Sequence, residues 1–364
     1  MKVSEQHSAE RRAHSATTEL KARDQEMAIL EKASGLRPRM PYKQEPFCLS
    51  SSPDKQKTSS LSVLSVSAVK LILVLSLLLP LSAFAAEQVR FRYVQSIYFD
   101  DQNAGMKQPE GVACNDKNLL IVGDTENSRL LQYTYQDKST KGGKEIKVQQ
   151  LSYPIRIQLN SKGEIFALDG KQRRIVRLSP EGEYKGYVTP EGIPSPATFV
   201  PRSFKIDSKD NIYILDIFGA RVIVVGPDGK YQKHISFPKD YGFFSDLQVD
   251  FKGNIFLVDS TKNMVFSAGK DAKEFSPLTK SLKEYLSFPT YITSDNRGTL
   301  YLVDENGAGI VILGADGSFL GRQLAMGWNE GQLYYPSQMC VTDKGEAFIA
   351  DRGNSRVQIF NIVR

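Results

Sequence analysis

An apolar run ending in aspartate, a short turn and usually an arginine five residues on recur six times in this chain. The aspartates are Asp124, Asp169, Asp216, Asp259, Asp304 and Asp351, spaced by 45, 47, 43, 45 and 47 residues. A period of that length, built from strand and turn signals, is the mark of a β-propeller in which each repeat forms one blade. The unit runs Pro, strand, turn, strand ending in Asp, then a third strand opened by Arg. Pro154, Asp169 and Arg174 illustrate it, as do Pro201, Asp216 and Arg221, and Pro336, Asp351 and Arg356. In the first unit Asp124 is followed by Arg129, whereas Met264 and Gly309 replace the arginine after Asp259 and Asp304. Runs such as Ile212–Leu215 are apolar on both faces, as strands sandwiched between neighbouring blades must be. Turn chemistry fills the gaps, including Pro227-Asp228-Gly229 and Ala315-Asp316-Gly317.

The fold expected is therefore all-β, a six-bladed propeller with four-stranded antiparallel blades. Little chain follows Phe360, too little for a fourth strand in the last blade. The unassigned strand-like segment Val89–Phe99 is expected to pair there and close the ring, which removes two exposed sheet edges.

Residues 1–60 are polar and lack apolar periodicity, and they are set aside as an extension, disordered or lying ahead of the true start. Residues 61–86 contain Lys70, a Leu-rich core, Pro80 and the small-residue pair Ala83 and Ala85, the pattern of a secretory signal cleaved near Ala85-Ala86. The apolar run is shorter than the roughly 20 residues that cross a bilayer, so a membrane partner is expected only if this segment stays uncleaved as an anchor. Residues 87–364 form the propeller, a periplasmic or secreted monomer. The formal charge of +6 resides mostly in the first 86 residues, which hold 12 basic and 8 acidic side chains. The remainder near +2 argues against a nucleic-acid partner.

The segment Gly327-Trp328-Asn329-Glu330-Gly331, Pro336 and then Asp351-Arg352-Gly353-Asn354-Ser355-Arg356-Val357 resembles the NHL repeat, and Asp124-Thr125-Glu126-Asn127-Ser128-Arg129 repeats its core. The resemblance extends over all six units, most closely in the first and last and least in the fourth and fifth. It implies a six-bladed propeller without fixing a function, because NHL-type propellers include binding platforms, RNA binders and lyases.

Repetition assigns the Asp and Arg residues to the frame, where a strand-end carboxylate accepts turn N–H groups and pairs with the arginine. His234 is the one histidine after residue 86. Metal sites built on imidazole need two or three, and lyases of this resemblance rely on several, so no metal and no catalytic residue is assigned. The alternative is a metal-dependent lactonase- or lyase-like enzyme, with Ca²⁺ held by carboxylates at the channel mouth. No Gly-x-Ser-x-Gly, Cys-x-x-Cys-His or phosphate-binding glycine loop is present among residues 87–364. The basic run Lys171-Gln172-Arg173-Arg174 with Arg177 reads as a solvated turn. Cys114 and Cys340 fall on the inner strands of blades one and six, which adjoin in a closed ring; they either form a disulfide or remain two thiols.

The starts of the inner strands vary while the frame does not, and variable positions on a rigid frame are free to carry recognition. Glu110, Arg156, Arg202, Ser203, Asp246, Tyr291 and Gln338 are the candidate rim, suited to a protein, peptide or glycan partner. The function expected is that of an exported binding or scaffold propeller rather than an enzyme.

Overall fold

The computed structural model describes residues 89–364. The extension, the signal segment and its cleavage point lie outside the described residues. Six four-stranded antiparallel sheets follow one another, each running from an inner strand to an outer one. The inner strands are Gly111–Cys114, Pro154–Leu159, Pro201–Ile206, Phe244–Val249, Pro289–Ser294 and Pro336–Val341. In the sixth sheet the outer strand is Arg90–Ile97, antiparallel to Arg356–Val363, with Arg90 opposite Val363 and Ile97 opposite Val357. Phe91 adds edge-on ring contacts to Tyr301 and Phe360, each with centroids 6.0 Å apart.

The core is divided as the two-sided apolar strands require. Six buried clusters each join two adjacent blades, including blade six against blade one through Phe348, Ile359, Val112 and Leu120. Hydrophobic burial therefore holds blades to one another as much as it holds strands within a blade. At the junction of blades six and one, Cys340 and Cys114 are joined by a disulfide, with Cα atoms 5.9 Å apart and a sequence separation of 226.

The repeated aspartates are buried and act over a longer range than a local turn. Each accepts N–H groups from the loop 16 or 17 residues upstream, ahead of the same blade's inner strand: Lys107 for Asp124, Ser152 for Asp169, Val200 for Asp216, Gly242 for Asp259, Ser287 for Asp304 and Tyr334 for Asp351. Every aspartate thus ties together two loops on the face where the inner strands begin. Arg129, Arg221 and Arg356 pair with Asp124, Asp216 and Asp351 through Nε at 2.7, 3.0 and 2.7 Å. Arg174 does not pair with Asp169; it is exposed and lies over the Tyr187 ring at 5.0 Å. Asp169 instead has Ser152 Oγ and four backbone N–H donors. In blade five the cation comes from the outer strand, where Arg322 Nη1 sits 3.0 Å from Asp304. A Cβ on Gly309 would stand 2.7 Å from Arg322 Nη2, so the glycine makes the space that this substitute occupies.

Burial raises the Asp169 and Asp259 pKa values, but the backbone N–H groups of Gln172 and Ser152, and of Lys262 and Gly242, outweigh it and hold both below the ordinary 3.8. A carboxylate depressed in the folded state stabilises above its unfolded pKa, and that contribution is lost as pH falls through the folded value. Unfolding free energy measured by denaturant titration is expected to drop steeply below about pH 4, and Asp169→Asn is expected to flatten that drop. An unaltered slope in the variant would contradict the assignment.

Candidate binding site at the channel mouth

Five of the six inner strands carry a register shift just after their first residue, between Pro154 and Arg156, Pro201 and Ser203, Phe244 and Asp246, Pro289 and Tyr291, and Pro336 and Met339. A bulge there re-aims the side chains that follow. It separates the variable positions into two groups. The residue two after the Pro or Phe gives Gly111, Arg156, Ser203, Asp246, Tyr291 and Gln338 around the ring, and it fills the channel.

These side chains bind one another across the opening. Arg156 Nη2 donates to the Thr290 carbonyl of blade five at 3.1 Å, and its guanidinium stands 5.5 Å from the Tyr291 ring centroid. Gln338 spans from blade six to blade two, donating to Ile157 O at 2.8 Å and accepting from Ile157 N at 3.1 Å. Gly111 leaves that route open, since a Cβ there would lie 2.7 Å from Ile157 Cγ1. Asp246 accepts from Ser203 Oγ and from Ile292 N, and Lys205 Nζ donates to the Tyr291 hydroxyl. Burial pushes the Asp246 pKa up, against the opposing pull of Lys205 and Arg156. Arg156, Ser203, Asp246, Tyr291 and Gln338 are thus buried as a plug. The rim expected from the sequence divides accordingly, and of its seven members only Glu110 and Arg202 retain partial exposure.

Those two sit one residue after the Pro, at the mouth above the plug. They are joined by residues that directly follow a framework aspartate. Arg352, next to Asp351, bridges Glu305 at 2.5 Å and Glu110 at 3.6 Å. Glu305 itself follows Asp304. Burial raises the Glu110 pKa, offset by Arg156 and Arg352 and reinforced by Glu305. Tyr153 is pushed up to about 12 by burial and by the charges of Glu110 and Glu126. This half of the mouth, from blades five, six and one, is a compensated acid–base set.

In the other half Arg202, Arg156 and Arg173 form no direct ion pair among the described residues, and carboxylates reach them only at longer range. Arg202 has its guanidinium 5.0 Å from the Phe243 ring. Burial lowers its pKa and the positive charges of Arg156 and Arg173 lower it further, outweighing the opposing pull of Asp246 and Glu305. Arg156, more than nine-tenths buried, leaves Nε without a hydrogen-bond partner, and Thr290 Oγ1 is likewise unpartnered. Guanidiniums lose much of their hydration when buried and repel one another, so a cluster without a direct ion pair gains when an anion joins it. Arg173 belongs to the basic run of blade two. It is exposed, as a solvated turn requires, yet its charge reaches the mouth.

The positions after the framework aspartates escaped the sequence reading. The same test of variation would have found them, because Thr125, Gly170, Ile217, Ser260, Glu305 and Arg352 differ from blade to blade. Lys205 was missed because the second inward layer of a strand carries no turn signal to mark it. His234 is exposed on an outer strand, with Nδ1 2.7 Å from the Tyr231 hydroxyl. Among the described residues no three His, Cys, Asp or Glu side chains converge as a metal-ligand set.

The architecture defines a six-bladed β-propeller. The NHL repeat model matches residues 106–133 and 333–360, so these two segments are NHL repeats and the protein is a propeller that carries them. No curated protein matches the chain in sequence. Similar solved structures include an inactive virginiamycin B lyase from Staphylococcus aureus with quinupristin (TM-score 0.54, 13% identity, covering 76% of this chain and 100% of that one). A gluconolactonase from Xanthomonas campestris has TM-score 0.55 and 14% identity, over 77% of this chain and 93% of that one. The PQQ-bound aldose sugar dehydrogenase from Streptomyces coelicolor has TM-score 0.54 and 14% identity, over 76% and 99%. At such identities the likeness is one of fold.

Proposed function

We propose that this protein is an exported binding or scaffold propeller that receives an anionic group of a protein, peptide or glycan partner at the mouth of its channel. The observation that carries the reading is that Arg202, half-buried over Phe243 at the mouth, has no direct ion pair among the described residues, while Arg156 leaves a buried Nε without a hydrogen-bond partner. A carboxylate, sulfate or phosphate beside Arg202 would gain charge-assisted hydrogen bonds, while Arg156 beneath adds its field. The plug gives the site a rigid floor and blocks passage through the ring. The Leu-rich segment ending at Ala85 and the disulfide both fit export to an oxidising compartment.

Arg202→Met keeps an apolar stem for Phe243 and removes the charge. Calorimetric titration of the full chain with an oligogalacturonate and with a glutamate-rich peptide is expected to show binding of at least one. The variant should bind that probe about tenfold to a hundredfold more weakly, the equivalent of about 1.5–3 kcal/mol for a hydrogen bond to a charged group. Equal affinity in the two proteins would refute the reading.

A further inference from the structure

The turn after the second strand is polar or small in five blades: Thr125-Glu126, Gly170-Lys171, Ser260-Thr261, Glu305-Asn306 and Arg352-Gly353. Blade three alone places Ile217-Phe218 there, and the two are 40% and 58% exposed. The scaffold asks for neither side chain, since Asp216 anchors this turn through the N–H groups of Val200 and Phe218 whatever the side chains are. The next loop adjoins it, with Phe237 N donating to Ala220 O at 2.8 Å. That loop presents Tyr241, 38% exposed, packed on the Phe237 ring at 5.3 Å and stacked on Phe244 at 5.2 Å. Phe243, two residues on, lies under Arg202. Exposed apolar side chains therefore sit on adjoining loops of blades three and four, beside the Arg202–Phe243 pair.

We infer that the partner is an acidic peptide segment of a protein, with a carboxylate at Arg202 and an adjoining apolar side chain on Ile217, Phe218 and Tyr241. The inference rests on the anion-binding reading and names its ligand class. Charge complementarity selects the acidic component. The exposed apolar side chains select a peptide over an acidic glycan, because a branched aliphatic residue beside a phenyl ring offers apolar area and no hydrogen bonds for sugar hydroxyls. Exposed aromatic and aliphatic side chains beside an arginine match the anchor chemistry of protein interfaces.

The test uses fluorescence anisotropy of the full chain with three probes of equal charge: a capped peptide alternating Glu and Leu, one alternating Glu and Ser, and an oligogalacturonate. The Glu–Leu peptide is expected to bind about tenfold more tightly than the others. Phe218→Ser should remove that preference and leave the weaker probes unchanged. Because Phe218 is exposed, the melting temperature of the variant should match that of the parent, and a large fall would itself contradict the surface role. Arg202-dependent binding with no Leu preference, or with the oligogalacturonate favoured, would overturn the peptide inference and leave the anion site standing. Binding indifferent to Arg202→Met would overturn both.

Discussion

Asp351→Ala lowers the unfolding free energy by about 3–5 kcal/mol, the cost expected for removing one partner of a buried ion pair. The carboxylate accepts from Tyr334 N, Asn354 Nδ2, Arg356 Nε and Gln358 Nε2 at 2.7, 2.8, 2.7 and 2.9 Å. Alanine leaves those donors facing a void, and Arg356 becomes a buried cation held by Tyr98 and the carbonyls of Asn329 and Gln332. Asp351→Asn should lose less, because its amide oxygen still accepts from some of the same groups while its NH₂ meets donors. Denaturant unfolding of parent, Asn and Ala variants checks the order. A loss below about 1 kcal/mol for alanine, the usual size for a surface ion pair, would show that the repeat's aspartates are ornaments of the loops and do not hold them.

Removing the disulfide is the second large effect. Cys114→Ser with Cys340→Ser is expected to lower stability by about 2–4 kcal/mol. The loop of 226 residues is long, and chain-entropy reasoning alone sets an upper bound of about 5 kcal/mol for a loop of that order. The realised value should fall short of the bound, because the Phe348–Val112 cluster holds blades six and one together without the covalent link. Unfolding of the oxidised protein, of the reduced protein and of the double variant should place the last two together. Free thiols in the protein as isolated from an oxidising compartment would contradict the bond.

The architecture was legible because a propeller repeats itself, and each period carries the same demands for an apolar strand pair, turn glycine and buried strand-end acid. The pairing of Asp with Arg was less so. Arg174 matches the pattern yet turns outward to Tyr187, while Arg322 breaks the pattern and reaches Asp304. Spacing within one strand pair does not record which neighbouring strand can supply a cation. The candidate site was legible in part. Variation among blades picked out the inner-strand starts, but a one-residue bulge decides whether a side chain joins the plug or the mouth. Glu110 and Arg202 fall on one side of that division, Asp246 and Gln338 on the other. Glu305 and Arg352 vary from blade to blade as the rim does, but their meeting with Glu110 shows only in the fold, since Arg352 and Glu110 lie 242 positions apart in sequence (352 − 110) and share a rim in space.

On the proposed reading, Arg202 is held at the mouth for a ligand and not for the fold. Denaturant unfolding of ligand-free Arg202→Met measures this most directly. With the repulsion from Arg156 and Arg173 relieved, the longer-range attraction of Asp246 and Glu305 lost and the stem over Phe243 retained, the variant should be as stable as the parent to within about 1 kcal/mol. A loss of more than about 1 kcal/mol would make Arg202 a structural residue and contradict the account.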